Sequence, residues 1–199
     1  LVHNGKLFVE SMDIIDYLDE LYPENPLVPK DKGAAEMAEV LVERAKALHV
    51  SVRHVSFRWG LGRLGKLKAK AESTLKNLEP AGSPEQMVNF YTRYNRDGIE
   101  DATFLSHLVA LETGFESLET LLRADGRAFL VGDTLSKADI IWSIKVLRLA
   151  ECGYPFRERF PSLFKWYTRV SNRPAFREGV MSQHNLLHRI FRAKSWIAN

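Results

Sequence analysis

The long stretch of helical periodicity after residue 33 constrains the fold of this chain most. From residue 34 to the end the sequence has no convincing strand pattern, and apolar residues recur at the spacing of one helix face. Helices are predicted over about 34–57, 102–122, 136–151 and 161–171. Prolines and glycines predict an irregular insertion with one short helix at 79–101, and the tail is expected to be helical in part. This part of the chain is therefore predicted to be all-helical.

The first 23 residues have a different pattern. Val2 and residues 7–9 are predicted to be short strands around an Asn4-Gly5 turn, because Asn-Gly tolerates positive φ at both positions. A helix is then predicted with Ser11 as its N-cap, Asp13 in its first turn and an apolar face. Tyr22-Pro23 is predicted to end it, because the residue before a proline avoids the α conformation.

Three prolines in the segment PENPLVPKDKG predict a semi-rigid linker between these two parts. The fold class predicted is α+β and mostly α. Its domains are a small α/β piece at 1–23, a linker at 24–33 and an all-helical domain at 34–199.

Composition excludes several classes of function. The formal net charge of +3 is too weak to indicate a nucleic-acid partner without a localised basic patch. Cys152 is the single cysteine, so no disulfide can form within the chain and a reducing, cytoplasmic setting is expected. No apolar run approaches the ~18 residues of a membrane span, so no membrane partner is expected.

Glu10-Ser11 at the start of the first helix is the candidate binding motif. A helix N-terminus favours a carboxylate, to which Ser11 can offer its hydroxyl and its backbone N–H. Glu10 could hold an ammonium group, so the pair suits the head group of a free amino acid. A plain N-cap after a strand explains the same residues, and on residue chemistry alone it is the simpler interpretation.

A second motif, Leu135-Ser136-Lys137-Ala138-Asp139-Ile140, is interpreted as structural. Ser136 at the N-cap and Asp139 three residues later predict a carboxylate version of the capping box. Leu135 and Ile140 are spaced as a hydrophobic staple.

Four segments together resemble the cytosolic glutathione transferase family. They are, in the family's order, ESMDIIDYLDELYP, LVPKDK, FLVGDTLSKADIIW and FPSLFKWYTRVSNRPAF. The resemblance implies a thioredoxin-like N-terminal domain, represented here by its last two strands and one helix, followed by the all-helical domain. It also implies that Glu10 and Ser11 hold the γ-glutamyl head group of glutathione, the cosubstrate. The middle of the chain, RWGLGRLGKLKAK…YTRYNRDGIED, resembles bacterial glutathione-dependent β-aryl-etherases.

The chain departs from that family at its start. In the family, a strand, a helix, a second strand and a cis-proline loop precede the segment LVHNG and carry the Ser, Cys or Tyr that handles the thiol. The resemblance therefore implies a β-α-β unit upstream of Leu1, with a cis-proline just before Leu1. No catalytic residue is named, and it is expected upstream of Leu1.

By resemblance, the electrophile pocket is expected between the two domains, against the helix that begins at residue 34. Its candidate residues are His49, Arg53, His54 and Phe57. Phe57 and the nearby Trp59 suit a core better than a pocket, whereas Arg53 and His54 could reach an acidic or phenolic substrate.

Three other patterns are set aside. Gly60-Leu61-Gly62-Arg63-Leu64-Gly65 follows a helical segment, so it lacks the strand that gives a dinucleotide motif its meaning. The basic run at 63–70 is interpreted as a solvated helix face. His184 and His188 have no evident third ligand, so no metal site is predicted.

The sequence leaves two functions open. One is an enzyme, a homodimeric glutathione transferase that directs the glutathione thiolate at a small hydrophobic or aromatic electrophile. The other is a non-catalytic transferase-like interaction module. Glu10-Ser11 favours the enzyme, because an interaction module has no need of a head-group site.

Overall fold

The computed structural model describes residues 1–59 and 84–182. Its two strands are β1 Val2–His3 and β2 Lys6–Leu7. Its helices, in chain order, are α1 Ser11–Leu21, α2 Lys32–Ala47, α3 His49–Trp59, α4 Pro84–Asp97, α5 Asp101–Asp125, α6 Lys137–Glu151, α7 Phe156–Arg159, α8 Pro161–Ser171 and α9 Pro174–Phe176, and a turn of π-helix follows at Arg177–Met181.

The chain divides into two compact units. Of the described residues, the first unit contains Leu1–Pro26 and 84–100, and the second contains 27–59 and 101–182. The chain is mostly helical with a small two-stranded sheet, so the predicted fold class is confirmed. The domain limits proposed from the sequence remain predictions.

The predicted hairpin is present in the first unit. β1 and β2 are antiparallel, with Val2 opposite Leu7, and the two turn residues Asn4 and Gly5 have φ angles of 49° and 76°. Positive φ at both positions gives the turn a twist that matches the strands. β2 ends at Leu7, two residues before the predicted end, although Phe8 still donates its N–H to the Leu1 carbonyl at 2.8 Å.

Two sequence predictions for the first unit need correction. Ser11 is the first helical residue of α1, and Glu10 is its N-cap. The expected irregular insertion at 79–101 contains α4, a helix of 14 residues. Pro84 is the first residue of this helix. An N–H at that position would have no intrahelical partner, so a proline can begin the helix without breaking it. Gly98, with φ 74°, follows the end of α4.

The single helix predicted over 34–57 is in fact two helices, α2 and α3. Leu48 lies between them with φ −87° and ψ 2°, and its N–H contacts the carbonyls of both Arg44 and Ala45. The prediction failed because the apolar periodicity runs unchanged through the break. Helices α5, α6 and α8 were predicted to within a few residues, whereas the four-residue helix α7 was missed.

The core of the second unit is built around two buried tryptophans, Trp142 on α6 and Trp166 on α8. Trp142 donates its indole N–H to the Leu41 carbonyl of α2 at 2.9 Å. Its ring also lies against α5 at Gly114, where an added Cβ would be 3.1 Å from Trp142 Cη2 and 2.9 Å from Leu48 Cδ1. Gly114 therefore allows α5 to approach both neighbours closely.

None of the described helices is long and apolar enough to cross a membrane.

Candidate functional site

The N-terminus of α1 presents exposed polar groups. Glu10 is extended, with φ −85° and ψ 135°, and its side chain makes no cap hydrogen bond. The first intrahelical bond runs from the Ile14 N–H to the Glu10 carbonyl at 3.0 Å. Within the described residues, the N–H groups of Ser11, Met12 and Asp13 have no hydrogen-bond partner. They are the donors that a helix N-terminus offers to an anion.

The N-terminal end of α1 presents groups that can bind a negative charge and a group that can bind a positive charge. The exposed Ser11 hydroxyl and the helix N–H groups favour a carboxylate, and the exposed Glu10 carboxylate favours an ammonium group. Asp13, in the first turn, offsets part of the helix's positive end. The arrangement therefore suits a zwitterionic head group better than a simple anion.

Aromatic contacts fix α1 to the hairpin. Tyr17 stacks on Phe8 with ring centroids 4.1 Å apart, and its hydroxyl lies 2.6 Å from His3 Nδ1. Because Phe8 lies two residues before Glu10, these contacts set the direction in which the chain enters the helix.

Ser136 and Asp139 form a capping box at the start of α6. The Ser136 N–H and hydroxyl both donate to Asp139 Oδ2, at 2.9 and 2.7 Å. Asp139 Oδ1 accepts from the Leu130 N–H at 2.9 Å and from the Trp166 indole N–H at 2.7 Å. Burial raises the pKa of the Asp139 carboxyl, while these hydrogen bonds act in the opposite direction. Sequence reasoning missed Leu130 and Trp166, because neither is local to the motif.

The four residues proposed for the electrophile pocket all lie on α3. His54 faces α5, where its ring stacks on His107 with centroids 4.2 Å apart. His49 and Arg53 lie one helical turn apart, and burial and then the charges of Lys145, Arg53 and Arg148 lower the pKa of His49. Phe57 is buried. His49, Arg53 and Phe57 therefore follow one another at successive turns on one side of α3, and His54 lies on the side that contacts α5.

A serine and two histidines meet between α3 and α5. Ser51 Oγ lies 3.0 Å from His107 Nδ1, and burial, followed by the charge of His54, lowers the pKa of His107. In the described part of the chain no carboxylate is hydrogen-bonded to His107, so the group lacks the acid of a catalytic triad.

A cavity of about 490 Å³ lies elsewhere in the second unit, between the start of α2 and residues 125–133. Met37 and Val131 supply apolar lining, and Arg127 supplies a cation that already forms an ion pair with Asp125. None of the residues proposed for the electrophile pocket lines this cavity.

Among residues 1–59 and 84–182, no group of three His, Cys, Asp or Glu side chains could hold a metal ion. His184, His188, the glycine pattern at 60–65 and the basic run at 63–70 lie outside the described residues.

Residues 85–174 match the family model "Glutathione S-transferase, C-terminal domain". This part of the chain is similar to the C-terminal domain of glutathione S-transferases, and the relatives and the solved structure named below carry the same similarity. It is 40% identical to glutathione S-transferase U6 from Arabidopsis thaliana over 57 residues, which cover 29% of this chain and 24% of that protein. It is 24% identical to maleylacetoacetate isomerase from Dictyostelium discoideum over 137 residues, 69% of this chain and 48% of that protein.

The fold of the chain is also similar to solved structures. The β-etherase LigF from Sphingobium sp. strain SYK-6 aligns with a TM-score of 0.71 at 25% identity, over 88% of this chain and 74% of that one. The chain spans less than half the length of the two curated relatives named above.

Proposed function

We propose that the protein is a glutathione transferase that binds glutathione at the N-terminus of α1. The observation that carries the proposal is the exposed Glu10-Ser11 pair beside three helix N–H groups without partners in the described chain. The Ser11 hydroxyl and those N–H groups bind the α-carboxylate of the γ-glutamyl residue, and the Glu10 carboxylate binds its ammonium group. The similarity of residues 85–174 to the C-terminal domain of glutathione S-transferases supports glutathione as the ligand.

The proposed reaction uses the glutathione thiolate as the nucleophile, because the thiolate and not the thiol attacks carbon. A sulfur–carbon bond forms at the electrophile, and the leaving group departs with the electron pair of the broken bond. For a β-aryl ether, the leaving group is an aryloxide. The similarity to the β-etherase favours ether substrates of this kind. We assign no residue to activation of the thiol.

We also propose that the enzyme acts as a homodimer in the cytoplasm. The second candidate function is a non-catalytic interaction module of the same fold. The Glu10-Ser11 pair favours the enzyme, since both side chains are exposed and neither is used as a cap in α1.

Calorimetric titration of the full-length protein with glutathione tests the site. Ser11→Ala should weaken glutathione binding by about 1–3 kcal/mol, because a hydrogen bond to a charged group is lost. Ser106→Ala, at another exposed helical serine, is the matched control and should leave the affinity unchanged. Equal affinities of the Ser11→Ala variant and the natural protein would refute the assignment.

A second measurement separates the enzyme from the interaction module. The full-length protein is incubated with glutathione and a β-aryl ether that releases a coloured phenolate. Release of phenolate that depends on glutathione and falls in Ser11→Ala supports the enzyme. Glutathione binding without release from this ether or from a general aryl halide would favour the interaction module.

A further inference from the structure

The cavity of about 490 Å³ at the start of α2 has walls from two parts of the second unit. Gly33, Ala34 and Met37 of α2 form one wall, and residues between Asp125 and Asp133 form the other. Its volume lies in the range of pockets that bind small molecules, about 300–1,000 Å³. None of the residues assigned to glutathione or to its electrophile lines the cavity, so the proposed transferase chemistry does not use it.

Backbone hydrogen bonds hold the second wall in place. The Phe129 N–H donates to the Gly132 carbonyl at 2.9 Å and closes a tight turn. Within that turn, the Leu130 N–H donates to the Asp139 carboxylate at 2.9 Å, and the Val131 side chain is buried. This wall is therefore formed before a ligand binds, and little conformational entropy is lost on binding.

Arg127 offers the cavity N–H donors. A guanidinium group has five N–H groups. Nε donates to Asp125 Oδ1 at 2.8 Å, Nη2 donates to Asp125 Oδ2, and Nη1 donates to the Leu130 carbonyl at 3.2 Å. One N–H on Nη1 and one on Nη2 therefore have no partner among the described residues. The existing contacts fix the guanidinium plane, and the two remaining donors suit a carboxylate.

Asp133 is the carboxylate of the cavity that has no partner. Its side chain is exposed, and it makes no hydrogen bond or ion pair in the described part of the chain. Asp125 differs, because hydrogen bonds from Arg127 hold it and lower its pKa to about 2. Asp133 is therefore the group that can bind a cation, and an ammonium group is a hydrogen-bond donor of the right charge.

The charged groups beside the α2 wall already have partners. Asp31 accepts a hydrogen bond at 2.8 Å from the helix that it caps, and Lys32 lies 3.9 Å from Glu36. Met37 and Val131 add an apolar surface to the cavity. A ligand in this cavity therefore meets one cation, one anion and an apolar surface.

We propose that this cavity binds a free α-amino acid with an apolar side chain. The α-carboxylate accepts from Arg127, the ammonium group donates to Asp133, and the side chain packs on Met37 and Val131. A simple anion would meet the Asp133 carboxylate without a counter-charge, and a simple amine would leave the Arg127 donors unused. The site lies within the second unit and does not depend on the glutathione site proposed on α1.

Leucine is the probe. Its analogues are 4-methylpentanoate, which lacks the ammonium group, and 3-methylbutylamine, which lacks the carboxylate. Calorimetry on the full-length protein should show that leucine binds at least about ten times more tightly than either analogue, because each analogue loses a charge-assisted contact.

Variants of the two charged residues test their roles. Asp133→Asn and Arg127→Gln should each weaken leucine binding about tenfold or more. Neither residue is buried, so both variants are expected to fold. Glu116→Gln and Arg123→Gln, at exposed charged residues of α5, are the matched controls and should bind leucine as the natural protein does.

A second measurement locates the bound leucine, because the N-terminus of α1 also suits the head group of an amino acid. In protein labelled with ¹³C at its methionine methyl groups, leucine should shift the signal of Met37, which Met37→Leu assigns. The signal of Met12, next to Ser11 on α1, should stay unchanged. Ser11→Ala, which weakens the glutathione site, should bind leucine as the natural protein does.

The absence of leucine binding, equal binding of either analogue, or equal binding of leucine by Asp133→Asn or Arg127→Gln would each overturn the proposal. A leucine-dependent shift of Met12 without a shift of Met37 would place the ligand at α1 and would also overturn it. Failure of glutathione to bind would refute the α1 site alone, because no residue of that site lines the cavity.

Discussion

At the scale of single residues, Asp139 connects three segments of the second unit. Its carboxylate accepts hydrogen bonds from its own capping partner Ser136, from Leu130 and from Trp166. The residue therefore joins the segment before α6, the start of α6 and the middle of α8. A capping box alone accounts only for the hydrogen bonds between Ser136 and Asp139.

Asp139→Ala should lower the free energy of unfolding by about 3 kcal/mol or more. The reason is that the substitution removes the cap and leaves the buried N–H groups of Leu130 and Trp166 without an acceptor. Urea denaturation measures the loss, with the exposed Asp133→Ala as the control. The KM for glutathione should stay near normal, and a weakened glutathione site with unchanged stability would contradict this structural role.

Gly114→Ala should destabilise the protein by about 1–2 kcal/mol, even though alanine is the better helix former. The new methyl group would meet the Leu48 side chain at 2.9 Å and the Trp142 ring at 3.1 Å, and the Trp142 indole is fixed by its bond to Leu41. Thermal denaturation measures the effect. Gly179→Ala, where nothing lies within 4 Å, is the control and should be neutral or slightly stabilising. A more stable Gly114→Ala variant would show that α5 can move away from its neighbours.

At the scale of elements, the packing of α3 against α5 includes titratable groups. His54 stacks on His107, and the Ser51 hydroxyl lies 3.0 Å from His107 Nδ1. Burial and the His54 charge lower the pKa of His107 in the folded protein below its ordinary value of 6.5. The unfolded chain therefore binds a proton at His107 more readily than the native protein does.

Stability should fall as the pH is lowered through and below 6.5, because protons then favour the unfolded chain. His107→Asn removes this titration while keeping a polar atom near Ser51, so the variant should lose less stability than the natural protein over the same pH range. Urea denaturation at a series of pH values between 8 and about 5 measures the two slopes. Identical slopes would show that His107 does not contribute.

At the scale of the whole molecule, the two units contain different features. The first contains the hairpin and the exposed N-terminus of α1, and the second contains the core around Trp142 and Trp166. The glutathione site proposed here belongs to the first unit.

Glutathione at about 100 times its Kd should stabilise the unit that binds it by about 2.7 kcal/mol, since a ligand that binds only the native state shifts the unfolding equilibrium. Differential scanning calorimetry of the full-length protein should show a higher melting temperature with glutathione and a smaller shift in Ser11→Ala at the same concentration. A melting temperature that glutathione leaves unchanged would argue against the α1 site.

The sequence by itself determined the features that depend on neighbouring residues. Asn4-Gly5 specifies the hairpin turn by its tolerance of positive φ, and Ser136 with Asp139 specifies the start of α6. The Glu10-Ser11 candidate site was also identified locally, because a helix N-terminus provides its own donors. The helical periodicity located α5, α6 and α8 for the same reason.

Only the tertiary structure decided the features that depend on residues distant in the chain. The break at Leu48 has no local signal, since the apolar pattern continues through it. The partners of Asp139, the stacking of His54 on His107 and the burial of Lys145 each depend on how helices pack. Local conformation follows from adjacent residues, whereas desolvation and pairing follow from which surfaces meet.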